Sequence, residues 1–256
     1  MKQALQQLMT SYREYRQAKA KNRAYKVARA ALLAIVAAYL LLLSFPQVLF
    51  AHQMTYKNFT VYSRKPLDSS ITVVLDRVDS KLAASTLNNL EVRPRIFLTD
   101  STRLYSALSI YLGGNSFGKG FAVFPTSNVF INQADVPSDL VFRHAPENNQ
   151  RSLSGVIAHE ITHLHIRKRF GYLKNLTMPA WKREGFCEYI AGGSTLSLEA
   201  GTRLWKANPQ NDAGYQYFKY YMVVKYLLEV EKLSVDDLFT REIDLREVEV
   251  RVLSTL

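Results

Sequence analysis

Cysteine is almost absent from this 256-residue chain, and histidine is scarce. Cys187 is the single cysteine, and only five histidines are present. One cysteine excludes an intrachain disulfide and any zinc site built from several thiolates. Three of the five histidines fall in VIAHEITHLHI, residues 156–166. Metal chemistry, where the chain has any, is therefore expected in that segment.

Acidic residues are nearly missing from the N-terminal segment. Residues 1–29 contain eight Lys or Arg and only Glu14 as an acid, a net charge of +7, while the rest of the chain has 25 bases and 21 acids, a net charge of +4. The total of +11 therefore belongs mainly to the N-terminal segment. Because the remainder is nearly balanced, we predict no nucleic-acid partner.

Residues 30–50, AALLAIVAAYLLLLSFPQVLF, lack charge altogether. About 20 apolar residues in a helix span the roughly 30 Å hydrocarbon core, and a buried soluble helix is rarely apolar on every face. We predict a transmembrane helix that contacts the lipid bilayer. A cleaved signal peptide is the alternative, but it has a shorter basic region and a shorter apolar core, and LFA before His52 is a poor cleavage site.

The position of the bases predicts orientation. Basic flanks stay cytoplasmic, so residues 1–29 form a cytoplasmic tail and residues 51–256 lie outside the membrane. A domain without disulfides fits the periplasmic face of a bacterial inner membrane. The tail is either a solvated topogenic segment or a short amphipathic helix on anionic lipid, because helical spacing relates Tyr12, Tyr15, Lys19, Arg23 and Lys26.

Hydrophobic periodicity predicts an α+β fold for residues 51–256. The N-terminal half is mixed, with a strand in NFTVYS, a helix from Asp68 or Ser69 to residue 87, a strand at 95–100, a helix at 102–112 and a hairpin or two short edge strands within 116–133. The C-terminal half is helical, with helices at 152–168, 180–192, 196–206, 214–231 and 234–240.

HEITH, residues 159–163, places two histidines one turn apart. Residues four apart lie on the same helix face, so His159 and His163 can bind one metal ion. Glu160 is displaced by one residue and lies beside such an ion, where it can accept a proton from water. The order His-Glu-x-x-His thus predicts a zinc ion, two of its ligands and a general base.

A catalytic zinc ion needs a third protein ligand, and two acids follow in AWKREGFCEYIAGG, residues 180–193. Residues 170–179, FGYLKNLTMP, leave room for a loop that returns a second helix alongside the first. We assign Glu184 as the third ligand. Glu188, one turn later, can orient a ligand histidine through its other ring nitrogen. The alternative for both acids is a solvated helix face. Cys187, between them, is expected to be a small buried residue off their face, and His165 is expected to point away from the metal face, for packing or at the surface.

HEITH followed by WKREGFCEY, residues 181–189, resembles the gluzincin metallopeptidases, the group that contains thermolysin and related aminopeptidases. Their second motif often reads Asn-Glu-Gly-Phe-Ala, and Glu184 stands at the position of its zinc-binding glutamate. The resemblance covers residues 150–193. It implies Zn²⁺, a peptide or protein substrate, and a thermolysin-like zincin domain with a small mixed sheet, an active-site helix and a helical C-terminal half.

The resemblance implies further roles. Glu188 falls where thermolysin-like chains hold an aspartate that supports a ligand histidine. Gluzincins add a Tyr or His donor for the oxyanion, and Tyr217, or else Tyr221, is the matching residue in YQYFKYYMVVKYLLE. SFGKGFAVFPTSNVFIN resembles the edge strand that holds substrate extended. The Gly-x-Met-Glu-Asn signature of the aminopeptidase branch is missing, so internal and terminal cleavage both stay open.

Three functions follow for a chain with a tail at 1–29, a transmembrane helix at 30–50 and a metallopeptidase-like domain at 51–256. The first is a membrane-anchored zinc peptidase with Glu160 as general base. The second is a membrane-tethered, non-catalytic binding module that contains zinc. In the third, HEITH is accidental and the chain is a scaffold; chance produces the pattern about once in a hundred such chains.

Overall fold

The computed structural model of the protein describes residues 2–112, 119–142, 151–207 and 213–256. The chain divides into two compact units, residues 1–46 and 47–256. This division places the boundary near the end of the charge-free segment, at Pro46. The mixture of helices and strands in the second unit confirms the α+β class.

Two helices make up the first unit. Helix α1 spans Lys2–Lys21 and helix α2 spans Arg23–Ser44, and the side chain of Asn22 between them caps α2 by accepting a hydrogen bond from the amide of Ala24 (2.9 Å). Helix α2 is long and apolar enough to span a membrane, with a mean hydropathy of 2.2 over its best window.

The apolar helix differs in its limits from the one predicted over residues 30–50. It begins earlier, at Arg23, because the basic residues before Ala30 continue the same helix. It ends earlier, at Ser44, because a residue preceding proline is disfavoured in the helical conformation and Pro46 follows. Residues Pro46–Leu49 form a separate turn of 3-10 helix.

A mixed sheet opens the second unit. Its strand order is β1-β2-β3-β5-β4, in which β2, β3 and β5 are parallel and β1 and β4 pair antiparallel at the two edges. The strands are β1 His52–Tyr56, β2 Phe59–Ser63, β3 Arg95–Leu98, β4 Gly120–Val123 and β5 Asn128–Ile131. The predicted strands at NFTVYS and 95–100 and the predicted hairpin are therefore confirmed, apart from residues 116–118, which lie outside the described part.

Most helices of the second unit follow the predicted pattern, but the helix Leu245–Leu253 was not predicted. The helix predicted to residue 87 ends at Ala83, and the one predicted to residue 112 ends at Leu108, each followed by a short 3-10 turn. The described α-helices are α3 Ser70–Ala83, α4 Thr102–Leu108, α5 Leu153–Phe170, α6 Tyr172–Thr177, α7 Ala180–Ala191, α8 Leu198–Ala207, α9 Ala213–Glu229, α10 Val235–Thr240 and α11 Leu245–Leu253.

Residues 170–179 are not the simple loop that the sequence predicted. They contain α6, Tyr172–Thr177, a helix of only six residues. Gly171 ends α5 with a positive φ of 81°, a conformation that glycine adopts without strain, and Pro179 precedes the start of α7. The turn still returns α7 alongside α5, as the assignment of Glu184 required.

A small second sheet leads directly into α5. Strands β6 Gln133–Asp135, β7 Leu140–Phe142 and β8 Arg151–Ser152 pair antiparallel, and β8 continues into α5 without a break. Asp139, which has a positive φ of 51°, accepts hydrogen bonds from the backbone amide and the hydroxyl of Ser154 (2.7 and 2.8 Å). This carboxylate satisfies one amide in the first turn of α5, and the hydroxyl of Ser152 accepts from another, that of Gly155 (3.2 Å), so the two side chains fix where the helix begins.

Helices α7 and α9 cross at a glycine. A Cβ atom at Gly185 would lie 2.4 Å from the carbonyl oxygen of Tyr220, so no side chain fits there without a shift. Gly185 directly follows Glu184, and Tyr220 lies three residues after Tyr217. The close crossing therefore brings the start of α9 towards the part of α7 that carries the predicted zinc ligand.

Candidate metal centre

Helix α5 is buried along most of its length, including several polar side chains. His159, Glu160, Thr162 and His165 are all less than 9% exposed. Buried polar groups are costly unless they are paired, so each of them needs a partner or a reason. Thr162 donates to the carbonyl of Ala158 (2.7 Å), which accounts for its hydroxyl. The other three side chains have no such simple explanation.

Three ligand atoms converge where α5 meets α7. The Nε2 atoms of His159 and His163 are 3.2 Å apart, and Oε2 of Glu184 lies 3.5 Å from the first and 3.3 Å from the second. Ligands that surround a tetrahedral zinc ion at about 2.0–2.1 Å are about 3.3 Å from one another. The separations of the three predicted ligand atoms match that value, so one ion fits between them.

Charge around this cluster agrees with a cation site. Burial alone would lower the pKa of His159, but the carboxylates of Glu188 and Glu184 raise it to about 10. Burial would raise the pKa of Glu184, but the two histidine rings hold it well below its usual range. The cluster is thus built to hold positive charge, which the metal-free protein takes up as a proton and which a metal ion would replace.

Glu160 lies beside the three ligand atoms rather than among them. Its side chain is buried, and within the described chain no group donates a hydrogen bond to its carboxylate. Burial raises its pKa above that of an ordinary glutamate. Gly120 of the edge strand β4 lies against it, since a Cβ atom there would be 2.9 Å from Cγ of Glu160. An unpaired buried carboxylate next to a cation site has the properties of a general base.

Glu188 lies next to the second ring nitrogen of His159, the one that does not face the other ligand atoms. Its Oε1 lies 3.3 Å from Nδ1 of His159, an ion-pair distance at which the hydrogen bond is poorly aligned. Arg151 holds the same carboxylate with both terminal nitrogens and also donates to the carbonyl of Gly193 (2.8 Å). Glu188 thus lies next to the second ring nitrogen of His159, where the sequence predicted it. Arg151, from strand β8, is an additional partner of Glu188 that the sequence did not indicate.

Arg183 supports the third ligand. Its Nε donates to Oε1 of Glu184 (3.0 Å), and its Nη1 donates to the carbonyl of Asn175 (3.2 Å). Oε2 of Glu184 is left to face the two histidines. A carboxylate held by one oxygen presents the other in a fixed direction, which favours binding of the metal through a single oxygen. The sequence contained this residue in the motif but gave no reason to assign it a role.

Cys187 is the residue whose place differs most from the expected one. The predicted burial of Cys187 is confirmed, but its Sγ does not point away from the site and lies 3.4 Å from Nδ1 of His163. The ligand atoms of His159, His163 and Cys187 also lie within 4.8 Å of one another, so these three could hold a metal. The spacing of three residues from Glu184 puts Cys187 on the same side of α7 and could have indicated this contact.

Glu184 is better placed than Cys187 to act as a third ligand to an ion held by the two histidines. Nε2 of His163 faces Nε2 of His159 and the Glu184 carboxylate, whereas Cys187 contacts the opposite nitrogen of the His163 ring. Burial raises the pKa of the Cys187 thiol well above its usual value, and the nearby Glu184 carboxylate adds to the increase. In the metal-free protein the protonated thiol can pair with this ring nitrogen, which an ion held between Nε2 of His163 and Glu184 would leave unbound.

Of the two tyrosines predicted from the resemblance, Tyr217 lies near the cluster. Its ring centroid is 6.5 Å from that of His159. The side chain as a whole is 38% exposed, but partial shielding of its hydroxyl from water raises its pKa, and the carboxylates of Glu184 and Glu160 raise it further, so the hydroxyl can donate a hydrogen bond. Tyr221 instead lies near Lys225, one turn further along α9.

His165 belongs to a different face of α5. It is 3% exposed, its Nδ1 has no hydrogen-bond partner, and burial lowers its pKa to about 4. Its ring is therefore neutral at physiological pH. Of the two placements predicted for His165, packing and surface exposure, its burial supports packing.

Comparison with known proteins adds no assignment. No family model matches the chain, and no curated protein matches it significantly in sequence. The resemblance of residues 150–193 to gluzincins therefore rests on their sequence motif.

Replacing Arg151 should weaken metal binding without touching any ligand. Arg151→Gln leaves the Glu188 carboxylate without its charged partner, so His159 loses part of the support at Nδ1. Changes in groups that orient metal ligands typically cost about 10–100-fold in affinity. We expect a loss of that size in the zinc dissociation constant, measured by competition with a chromophoric chelator, and partial recovery in Arg151→Lys.

Arg169→Gln is the matched control for this prediction. Arg169 pairs with Asp236 on the surface (2.8 Å), where an ion pair contributes little. Its replacement should leave the zinc affinity unchanged. If Arg151→Gln and the control bind zinc with equal affinity, the ion pair between Arg151 and Glu188 does not support the metal site.

Proposed function

We propose that this chain is a membrane-anchored zinc peptidase of the gluzincin type, with a thermolysin-like catalytic domain. The observation that carries the proposal is the convergence of His159, His163 and Glu184 on one point, with the unpaired carboxylate of Glu160 beside it. Two imidazoles and one carboxylate leave a fourth zinc position free, which distinguishes catalytic from structural sites.

His159, His163 and Glu184 would hold the zinc ion, which when bound polarises a carbonyl and acidifies water. Glu160 accepts the proton from the attacking water and passes it to the leaving amine. Its raised pKa brings it closer to the range in which a carboxyl group both accepts and donates protons near neutral pH. Tyr217 donates a hydrogen bond to the oxygen that becomes negatively charged.

The edge strand β4 offers a place for an extended peptide. Within the described chain its outer side pairs with no other strand, and Gly120 on this strand lies directly against Glu160. A peptide that pairs with β4 through main-chain hydrogen bonds would run past the general base. Recognition of the main chain rather than one side chain fits a peptide or protein substrate.

Membrane attachment follows from helix α2, which is long and apolar enough to span the bilayer. We infer that the basic segment lies in the cytoplasm and that residues 51–256 face the periplasm of a bacterial cell, because positive flanks are retained on the cytoplasmic side. The substrates would then be proteins or peptides outside that membrane.

Cys187 favours a second candidate, a non-catalytic module that binds a partner and contains zinc. A structural zinc site is closed by four protein ligands. If His163 turned its ring, Cys187 and Glu184 together with the two histidines would supply four. We prefer the peptidase because Cys187 contacts Nδ1 of His163 and because a closed site gives Glu160 no function.

The direct test is hydrolysis by the full chain, purified in detergent and loaded with zinc. Incubation with a mixed peptide library, followed by mass spectrometry, should give new termini that disappear after treatment with a chelator and return with added zinc. A protein that binds one zinc ion and cleaves no peptide would support the structural module. A protein that binds no zinc would exclude both the peptidase and the zinc-containing module.

Gly120→Ala should impair hydrolysis while zinc stays bound. The added methyl group would lie 2.9 Å from Cγ of Glu160 and from Cγ1 of Val156, so the general base or the strand must move. A displacement of about 1 Å in such a group can cost on the order of 100-fold in rate. We expect a loss of about 10–100-fold in kcat/KM, measured on any peptide found in the library.

Ser127→Ala, in the turn between β4 and β5, is the control for Gly120→Ala. It should retain wild-type kcat/KM and zinc content. Full activity in both variants would mean that β4 does not border the reacting groups.

A further inference from the structure

Helix α1 has one apolar face that is open to its surroundings. Five large side chains recur at helical spacing and are each between 53% and 73% exposed: Leu5, Leu8, Met9, Tyr12 and Tyr15. At 3.6 residues per turn they form a single stripe along the helix. A soluble helix would normally bury such a stripe, so it requires a partner.

The opposite face is polar. Gln3, Gln7, Thr10 and Glu14 lie roughly half a turn away from the stripe. Glu14 is the single acid among residues 1–29, and it is on this far face. Whatever covers the apolar stripe therefore meets no negative charge from α1.

Bases and aromatic rings gather at the end of α1 nearest to α2. Arg16 and Lys19 continue the apolar stripe, with Arg16 over the Tyr12 ring (6.0 Å) and Lys19 over the Tyr15 ring (4.4 Å). Lys19 also lies 5.6 Å from the ring of Tyr25 in α2, across the break at Asn22. Tyrosine and basic side chains in this combination are characteristic of the membrane–water interface.

We propose that α1 lies on an anionic lipid surface, with Leu5, Leu8 and Met9 in the headgroup region and Arg16 and Lys19 against lipid phosphates. The one-residue break keeps α1 next to helix α2, which supplies the anchor, so a bilayer is the surface closest to it. Each base near such a surface contributes favourably, and amphipathic helices with a basic, aromatic face bind in this way.

A second copy of the chain fits the stripe less well. A helix dimer would bring Arg16 and Lys19 of one chain next to the same residues of the other, and like charges within a seam are unfavourable. The apolar part also extends over only about three turns, which is short for a stable coiled coil. Lipid phosphates, in contrast, neutralise these bases, and the long basic side chains can extend towards them.

The test places one fluorescent label at a time on the full chain in lipid vesicles. Leu8→Cys reports on the apolar face and Gln7→Cys on the polar face, and the unsubstituted chain measures labelling of the buried Cys187. The vesicles contain phosphatidylcholine either alone or mixed with phosphatidylglycerol, and lipids carrying a nitroxide quench a label that enters the bilayer. Arg16→Gln with Lys19→Gln is then added to the Leu8→Cys chain.

The proposal predicts strong quenching at position 8 and weak quenching at position 7 in anionic vesicles. Removal of the two bases should lower the equilibrium constant between lipid-bound and free α1 by about fivefold for each charge. Equal quenching at both positions would overturn the proposal. So would quenching at position 8 that is the same in neutral and anionic vesicles and is unaffected by removal of the two bases. Chain-to-chain disulfide formation at position 8 would also overturn it and would show that a second copy covers the stripe. None of these outcomes depends on peptidase activity.

Discussion

Glu160→Gln is expected to abolish peptide hydrolysis while zinc remains bound. The amide keeps the size of the side chain and its place beside His159 and His163, but it cannot accept a proton. Loss of general base catalysis typically costs about 10²–10⁴-fold. We expect a reduction in kcat/KM within that range, with the zinc content unchanged, measured by atomic absorption on the same preparation.

The same substitution should not weaken the metal-free fold. Burial raises the pKa of Glu160 in the folded protein. At any pH above the pKa that Glu160 has in the unfolded chain, its ionisation therefore lowers the free energy of unfolding. Glutamine removes that cost, and the midpoint of thermal unfolding should equal or exceed that of the wild type at neutral pH. The advantage should vanish as the pH falls below the unfolded pKa, where the carboxyl group is protonated in both states.

Glu199→Gln provides the matched control for Glu160→Gln. Glu199 is exposed on α8, so the same chemical change there should leave both activity and stability as they are. Full hydrolysis by Glu160→Gln would remove this residue from the mechanism. Loss of zinc together with activity would mean that Glu160 supports the metal rather than the reaction.

Glu184→Ala is expected to remove most of the affinity for zinc. Its carboxylate contributes one of three converging atoms, and two imidazoles one turn apart hold a metal far less tightly than three ligands do. The loss should exceed the roughly 10–100-fold effect of changing a supporting group such as Arg151. Because zinc binds the folded state, the increase in melting temperature that zinc causes should disappear as well.

Cys187→Ser separates the two candidate third ligands. If Glu184 binds the metal, the serine variant loses only a partner of His163 Nδ1, and its affinity should fall by no more than about 100-fold. The metal-free melting temperatures of both variants identify any general destabilisation, since both residues are buried or nearly so. Greater loss of zinc in Cys187→Ser than in Glu184→Ala would reverse the assignment.

The sequence predicted the long helices well because their apolar periodicity is strong. Helix α5 begins and ends within two residues of its predicted limits, since Ser152 supplies a cap and Gly171 ends it. The short strands β6, β7 and β8 have two or three residues each and show no alternation, so they escaped prediction. Helix α6 was missed for a similar reason, because a six-residue helix between Gly171 and Pro179 gives no periodic pattern.

In the candidate site, helical spacing predicted which residues share a face. The room for a returning helix suggested that Glu184 approaches α5, the resemblance alone suggested this for Tyr217, and nothing indicated Arg151. One-turn spacing brought His159 to His163 and Glu184 to Glu188. Arg151 precedes Glu188 by 37 residues, and only the pairing of β8 in the small sheet brings the two together. Contacts of this kind depend on tertiary structure, which a motif does not encode.

The coordination of zinc itself tests the account most directly. X-ray absorption at the zinc edge of the full chain distinguishes nitrogen and oxygen ligands at about 2.0–2.1 Å from sulfur at about 2.3 Å. Coordination by His159, His163 and Glu184 gives a spectrum of two imidazoles and oxygen ligands, without sulfur. The spectrum should be unchanged in Cys187→Ser and changed in Glu184→Ala. A sulfur ligand at the longer distance, or a chain that takes up no zinc, would contradict this coordination.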